Sequence, residues 1–350
     1  MLLRPNLRVR SFYLTIIGTN TMPTISKDEL LETQLLVEKH FSRKGIKQAV
    51  LDYMDTIPEC TVRIDQGAEL LRMWCESESA YDSKQVRKDH IAQLDLRELT
   101  IEVFVKVASL TTETTLNNLA SQMAPMLGFA DTRVGIQACA EIIAVLCGTN
   151  FYDLRKYHIN SSIYVKSNFA LPDELIEYIE RACYLPPMIV KPKTLRDNRS
   201  SAYLTSKGDS LILGGSHNHH NDPIALDVLN IMNRYELTLC EFILDNVEEE
   251  PTFDLDKIDV KPEKPMTDIE YKRAVEQQRK NWERHLAQSA YFYKHIRANN
   301  NHMYITNKYD KRGRIYSQGY HINPQGTSYK KACVELYHKE LVEVPDGFFN

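Results

Sequence analysis

The stretch that decides the reading runs from Tyr304 to Gly326, YITNKYDKRGRIYSQGYHINPQG. It begins as a strand, reaches Asp310, passes through the compact unit Arg312, Gly313 and Arg314, resumes at Ile315 and Tyr316, and turns again at Asn323 to Gly326. Two arginines on either side of a glycine splay their guanidinium forks in a small space, and such forks bind phosphate through paired hydrogen bonds. Gly313 admits close approach of a backbone or duplex. Tyr316 offers a ring on which a base can stack. Asp310 is placed to hold Arg312 or Arg314 by a salt bridge. The chemistry is that of a rigid phosphate-contacting corner beside a nucleic-acid strand. An Arg-Gly-Arg triplet alone is a common surface feature, and a basic turn without a ligand is the alternative.

The rest of the chain limits where such a corner can sit. The chain has 350 residues, 43% hydrophobic and 26% charged, with 13 Gly and 14 Pro, which suits a globular protein with a sizeable core rather than a fibrous one. The formal net charge of -4 excludes a generic polycation, so contact with nucleic acid must come from local basic patches. The seven cysteines are scattered without a CxxC pair, which disfavours a disulfide scaffold and points to a reduced compartment. Arg4, Arg8 and Arg10 precede a short apolar run at 12–17 that is too brief for a signal peptide. No run reaches the roughly 18 apolar residues of a membrane span.

Periodicity predicts helices over 25–57, with a capping box at 26–29, and over 64–78. Residues 79–92 read as a polar surface connection, and 94–127 as helix, turn, helix. An apolar helix over 134–147 is expected to end at Gly148. Aromatic and β-branched residues around Asn160-Ser161-Ser162 predict a hairpin, with Tyr157, Ile159 and Ile163 beside its tip. A helix follows at 171–184, with Pro172 in its first turn, then an extended stretch at 186–193 and a polar segment at 194–222. His217, His219 and His220 in that segment suit zinc poorly, since two are adjacent and no cysteine is near. Residues 224–245 read as one long apolar helix, 246–268 as an acidic linker or excursion, and 269–298 as an amphipathic helix with interleaved charges. The acidic DLDKID at 254–259 lacks the ligand number and the glycine of a calcium loop.

Asp310, Arg312, Gly313, Arg314 and Tyr316, in the order D-x-R-G-R-x-Y, followed by Asn323-Pro324-Gln325-Gly326, resemble the single-subunit DNA-directed RNA polymerases of phages and mitochondria. The likeness extends upstream through residues 108–127, 134–156, 184–195 and 229–239, and covers about residues 95 to 350. Leu195 stands where the family has Trp, and Asn233 and Leu237 stand in place of Gln and Trp. In that family the motif opens the palm and touches the template strand and RNA–DNA hybrid. The resemblance therefore gives nucleic-acid contact to Arg312, Arg314 and Tyr316, closure of the corner to Gln325 and Gly326, and support to Asp310 and Gly313. It makes Tyr157, Ile159, Asn160, Ser161, Ser162 and Ile163 the candidate hairpin at the upstream bubble edge.

The fold so implied is a mainly α N-terminal domain (1–245) with a small β-hairpin, a reduced helical thumb-like segment (246–300), and the first strands of an α/β palm (301–350) completed by a partner chain. Nucleotidyl transfer needs two metal ions about 4 Å apart held by carboxylates. The family's metal carboxylates and fingers lie beyond NPQG, and this sequence stops at Asn350, so no catalytic or metal-binding residue is assigned in it. The expected protein is a subunit of a heterodimeric phage nucleotidyltransferase for early or middle viral transcription, working in the cytoplasm of an infected bacterium. A naturally split enzyme and a piece cut from a longer chain both fit. Mg2+ is expected in the complete enzyme, with its ligands in the partner. The partners implied are the large subunit carrying the remaining palm and fingers, the DNA template and the RNA–DNA hybrid, with room for a phage activator or single-stranded DNA-binding protein. The alternatives are a non-enzymatic nucleic-acid-binding module and a helical structural adaptor.

Overall fold

The computed structural model describes residues 24–110, 112–156, 162–208, 210–215, 218–260 and 266–340. Helix accounts for 52% of the described residues, and the strands form small antiparallel sheets, so the fold is mainly α. The chain divides into two compact units, one of residues 39–183 and one that joins 1–38 to 184–350.

The first helix among the described residues, α1 (Lys27–His40), starts as its sequence predicts. Ser26 and Glu29 cap each other, the Glu29 carboxylate accepting from the Ser26 N–H at 2.9 Å and the Ser26 hydroxyl accepting from the Glu29 N–H at 3.3 Å.

The 39–183 unit contains α2 (Arg43–Met54), α3 (Pro58–Glu76), α4 (Asp82–Ile91), α5 (Leu96–Ala108), β1 (Thr114–Thr115), α6 (Leu116–Met123), α7 (Thr132–Leu146), β2 (Tyr152–Lys156), β3 (Ile163–Ser167) and α8 (Asp173–Arg181). Apolar stripes from these helices meet in one core that includes Val50, Leu71, Val103, Leu119 and Ile142. Phe104 stacks on Phe151 at 4.2 Å, and Phe151 on Phe169 at 5.1 Å. The stretch Thr132–Thr149 is long and apolar enough to cross a membrane by length and composition alone, a run that composition did not lead one to expect. Its helix α7 buries Ala138, Cys139, Ile142, Ile143 and Leu146 in this core.

Three details of this unit differ from the sequence reading. The polar stretch 79–92 is not a simple connection but contains α4, with Ile91 fully buried. Its charged residues misled because their heads are satisfied inside the protein. Lys88 donates to the Ser77 carbonyl at 2.6 Å and hydroxyl at 2.8 Å, and Arg87 pairs with Glu141 at 2.6 Å. Gly148 does not stop α7; it lies inside a short 3-10 turn, Cys147–Thr149, and the left-handed residue is Asn150, with φ of 57°. Pro172 is the N-cap of α8 rather than part of its first turn.

The hairpin appears as β2 and β3, antiparallel in the register Tyr152↔Ser167 to Lys156↔Ile163, with β1 on the other side of β3. Tyr152 anchors it: the side chain is fully buried and its hydroxyl donates to the Ile143 carbonyl at 2.6 Å.

The second unit contains α9 (Leu226–Met232), β4 (Leu237–Leu239), α10 (Glu241–Asn246), α11 (Asp268–Ala298), β5 (Asn307–Tyr309), β6 (Ile315–Ser317), α12 (Ser328–Ala332) and β7 (Val334–Leu336). The expected long helix over 224–245 is broken into α9, β4 and α10. The break follows Asn233, and Leu237 to Leu239 pair with Leu336 to Val334 of β7, so a distant strand overrides the helical periodicity. By contrast, α11 forms as expected, opened by a capping box in which Thr267 and Glu270 exchange hydrogen bonds.

Long irregular segments in this unit need partners for their backbone groups, and side-chain amides supply many of them. The Asn230 amide brackets Leu195, accepting from its N–H at 2.7 Å and donating to its carbonyl at 3.0 Å. Asn300 does the same to Ile25, and Asn301 to Leu239. Residues 24–38 are tied in further by buried Gln34, which accepts from the Ile189 N–H, and by buried Glu38. The Glu38 carboxylate accepts from the N–H groups of Leu204 and Thr205, the Thr205 hydroxyl and the Gln34 amide. Burial pushes its pKa up, but these hydrogen bonds, led by the Thr205 hydroxyl, hold it below the ordinary value.

Candidate nucleic-acid interface

The arginine corner is the turn between β5 and β6. The strands pair from Asn307↔Ser317 to Tyr309↔Ile315, leaving Asp310 to Arg314 as the connection. The turn closes through Asp310 N–H to the Arg314 carbonyl at 2.8 Å and Gly313 N–H to the Asp310 carbonyl at 3.0 Å. Gly313 has φ of 84°, a conformation that strains other residues, and a Cβ there would meet nothing within 4 Å. Glycine is thus required by the backbone, and the space above it is open.

Asp310 organises everything else in the turn. Its Oδ1 accepts from the backbone N–H groups of Arg312 at 2.9 Å and Arg314 at 3.0 Å. Its Oδ2 accepts from Nε of Arg312 at 3.2 Å and of Arg314 at 2.9 Å, and the Nη2 atoms lie 3.1 and 2.9 Å from it. Both guanidiniums are held by one edge, and Asp310 does not use their Nη1 groups. The side chains of Arg312 and Arg314 are 63% and 53% exposed, against 14% for Asp310. The carboxylate is spent inside the turn while the cationic edges face solvent. Burial pushes the Asp310 carboxyl up, but the backbone N–H and guanidinium of Arg314 outweigh it and hold its pKa below the ordinary range. Asp310, and then the Tyr316 hydroxyl, raise the pKa of the Arg314 guanidinium. Arg314 lies 5.4 Å from the centroid of the Tyr316 ring, in cation–π range.

NPQG folds back on the same strand. The Gln325 amide accepts from the Ser317 N–H at 2.9 Å and donates to the Ile315 carbonyl at 3.2 Å, bracketing β6. Asn323 shapes the turn, accepting from the Gln325 N–H at 2.8 Å and donating to the Gly319 carbonyl at 2.8 Å. A Cβ on Gly326 would lie 3.0 Å from that of Lys330 and 3.2 Å from the Asn323 carbonyl oxygen, so a larger residue would push this turn apart. Arg312, Arg314, Tyr316, Gln325 and Gly326 therefore belong to one continuous corner.

The supporting residues came less readily from the sequence. Buried Asn233 accepts from the Asn307 N–H at 2.8 Å and its side-chain amide at 3.1 Å, and Asn307 accepts from the Ser317 hydroxyl at 3.0 Å. This chain of bonds ties the end of α9 to both strands. The available signal was an asparagine in an apolar helical run. Leu195, where the resembling family has Trp, lies buried with Leu211, Leu229 and Tyr309 beneath β5.

Of the hairpin candidates, Tyr157, Ile159, Asn160 and Ser161 lie outside the described residues, while Ser162 and Ile163 stand at the start of β3, with Ile163 exposed. His217 also lies outside them. Both ring nitrogens of His219 are engaged, by the Ser210 hydroxyl and the Asn221 amide oxygen, each at 3.0 Å. Among the described residues, no group of three or more His, Cys, Asp or Glu side chains is placed to hold a metal ion. The chain matches no model of a known protein family, and a comparison with curated proteins likewise finds no match.

Proposed function

We propose that this chain is a subunit or amino-terminal part of a phage-type DNA-directed RNA polymerase. It contributes template and RNA–DNA hybrid contacts through Arg312, Arg314 and Tyr316, and another chain supplies the metal-binding carboxylates. The observation that carries the reading is the double anchoring of two exposed guanidiniums on the single half-buried carboxylate of Asp310. Such anchoring fixes the forks before a ligand arrives, so less side-chain entropy is lost when phosphate binds. The Tyr316 ring beside Arg314 gives a nucleotide both a phosphate contact and a stacking surface. The hairpin of β2 and β3 is assigned to the upstream edge of the bubble, on the resemblance alone.

The test is elongation on an assembled RNA–DNA scaffold with Mg2+. The purified chain is expected to extend no RNA by itself, and to support extension when combined with a chain carrying the rest of the palm and the fingers. Extension by rigorously pure chain would overturn the division of labour. Scaffold binding without elongation in any reconstitution would favour a nucleic-acid-binding module, and neither binding nor elongation would favour a structural adaptor.

A further inference from the structure

The segment between Asp245 and Val260 carries seven carboxylates and one lysine, and it lacks regular structure from Val247 onward. It runs antiparallel along α11, whose 31 residues carry seven Lys or Arg against four Asp or Glu. Asp245 pairs with Arg297 at 2.7 Å. Glu249 lies 3.5 Å from Nε2 of His285, and Phe253 meets the edge of Trp282. Oδ1 of Asp256 accepts from both Nε and Nη2 of Arg279. The Gln278 amide donates to the carbonyls of Asp254, Leu255 and Lys257, and the Tyr271 hydroxyl accepts from the Ile258 N–H. These partners, Tyr271, Gln278, Trp282 and His285, recur at helical spacing on one face. The segment is a strap fastened along that face, not a loose linker. Beside Asp256 lies an open cleft of about 500 Å3 lined by Asp256, Tyr271, Lys272, Val275, Glu276 and Arg279.

We propose that this acidic strap is an intramolecular competitor of nucleic acid, in which Asp256 occupies the Arg279 fork that would otherwise take a backbone phosphate. Asp256 offsets the Arg279 charge and fills its Nε–Nη2 edge, so a phosphate that binds through that edge must displace the carboxylate. The exposed Asp256–Arg279 pair is a weak contact by itself, which suits an occupant that is to be displaced. The strap thereby limits binding by the isolated chain and yields Arg279 when a strand lies along α11. The inference rests on the nucleic-acid reading above only for the class of ligand.

The experiment measures fluorescence anisotropy of a labelled single-stranded oligodeoxynucleotide with the full chain across a salt series. Asp256→Asn is expected to tighten binding about three- to fivefold, the range an exposed ion pair accounts for. It should also steepen the log–log salt slope by about 0.7, as one added phosphate contact requires on a single strand. Asp259→Asn makes the same charge change at a residue with no ion pair among the described residues, and should leave the slope unchanged. In an Arg279→Ala background the effect of Asp256→Asn should vanish. Equal gains from Asp256→Asn and Asp259→Asn, or a gain that survives Arg279→Ala, would reduce the strap to bulk charge and overturn the proposal. No binding by any variant would overturn it as well. Arg314→Ala separates the two readings. If it leaves binding unaffected while Asp256→Asn still acts through Arg279, the corner fails and the strap stands. If it weakens binding while Asp256→Asn does nothing, the strap fails and the corner stands.

Discussion

Asp310 grips Arg314 twice, its Oδ1 accepting from the backbone N–H at 3.0 Å and its Oδ2 accepting from Nε at 2.9 Å, so one carboxylate sets both the turn and the direction of the guanidinium. Asp310→Asn retains an acceptor for the backbone bonds but loses the charge that holds two arginines. It should keep the fold and lower elongation by the reconstituted enzyme. Asp310→Ala also removes the acceptor for two N–H groups and should loosen the turn, visible as faster amide exchange at Arg312 and Arg314.

Arg314→Ala should leave folding and partner assembly intact while reducing elongation about tenfold or more, about 1.4 kcal/mol in transition-state terms. Arg314→Lys should restore only part of the loss, because it keeps the charge and forfeits the fork. Elongation on a preassembled scaffold, with assembly checked by gel filtration, measures both. Full activity in the alanine variant would leave the corner as a structural salt bridge.

Asn233→Ala should strip the buried Asn307 backbone and amide N–H groups of their common acceptor. A loss of about 1–3 kcal/mol of stability is expected, read by urea denaturation. Because Asn307 also receives the Ser317 hydroxyl, the mobility of β6 should rise with it.

Glu38→Ala removes one buried carboxylate that takes four hydrogen bonds, and should destabilise the unit of residues 1–38 and 184–350 by about 2–4 kcal/mol. Protease cleavage within 184–340 should accelerate, and cleavage within 39–183 should change less.

Stability should fall in mild acid. Burial lowers the pKa of His295 from 6.5 to about 4, and burial, with His285 and Lys330 nearby, lowers that of His321 to about 3. A histidine held neutral in the folded state contributes fully above its unfolded pKa. As pH drops below 6.5 the unfolded chain takes up the proton first, so stability declines from 6.5 toward 4. Glu38 and Asp310, with folded pKa values below their ordinary ones, act in the same sense at lower pH. Thermal melting at stepped pH should show this slope, and His295→Leu should flatten it between 6.5 and 4.

What the sequence by itself determined was local. The capping boxes at Ser26 and Thr267, the run of α11 and the turn Asp310–Arg314 are each written in residues a few positions apart, where the hydrogen-bonding groups and the periodicity lie within one window. Even the grip of Asp310 on its arginines was legible, since two and four residues separate the partners. Tertiary structure decided what depends on distant partners. Leu237 to Leu239 follow a helical pattern until β7 offers them a ladder, and Lys88 looks like a surface residue until Ser77 receives its ammonium group. That residues 24–38 belong with 184–340 rests on Gln34, Glu38 and Asn300 meeting backbone groups more than 150 residues away. Such bonds leave no periodic trace in the sequence, because a buried amide or carboxylate is satisfied by whichser backbone group the fold brings to it, at any separation along the chain.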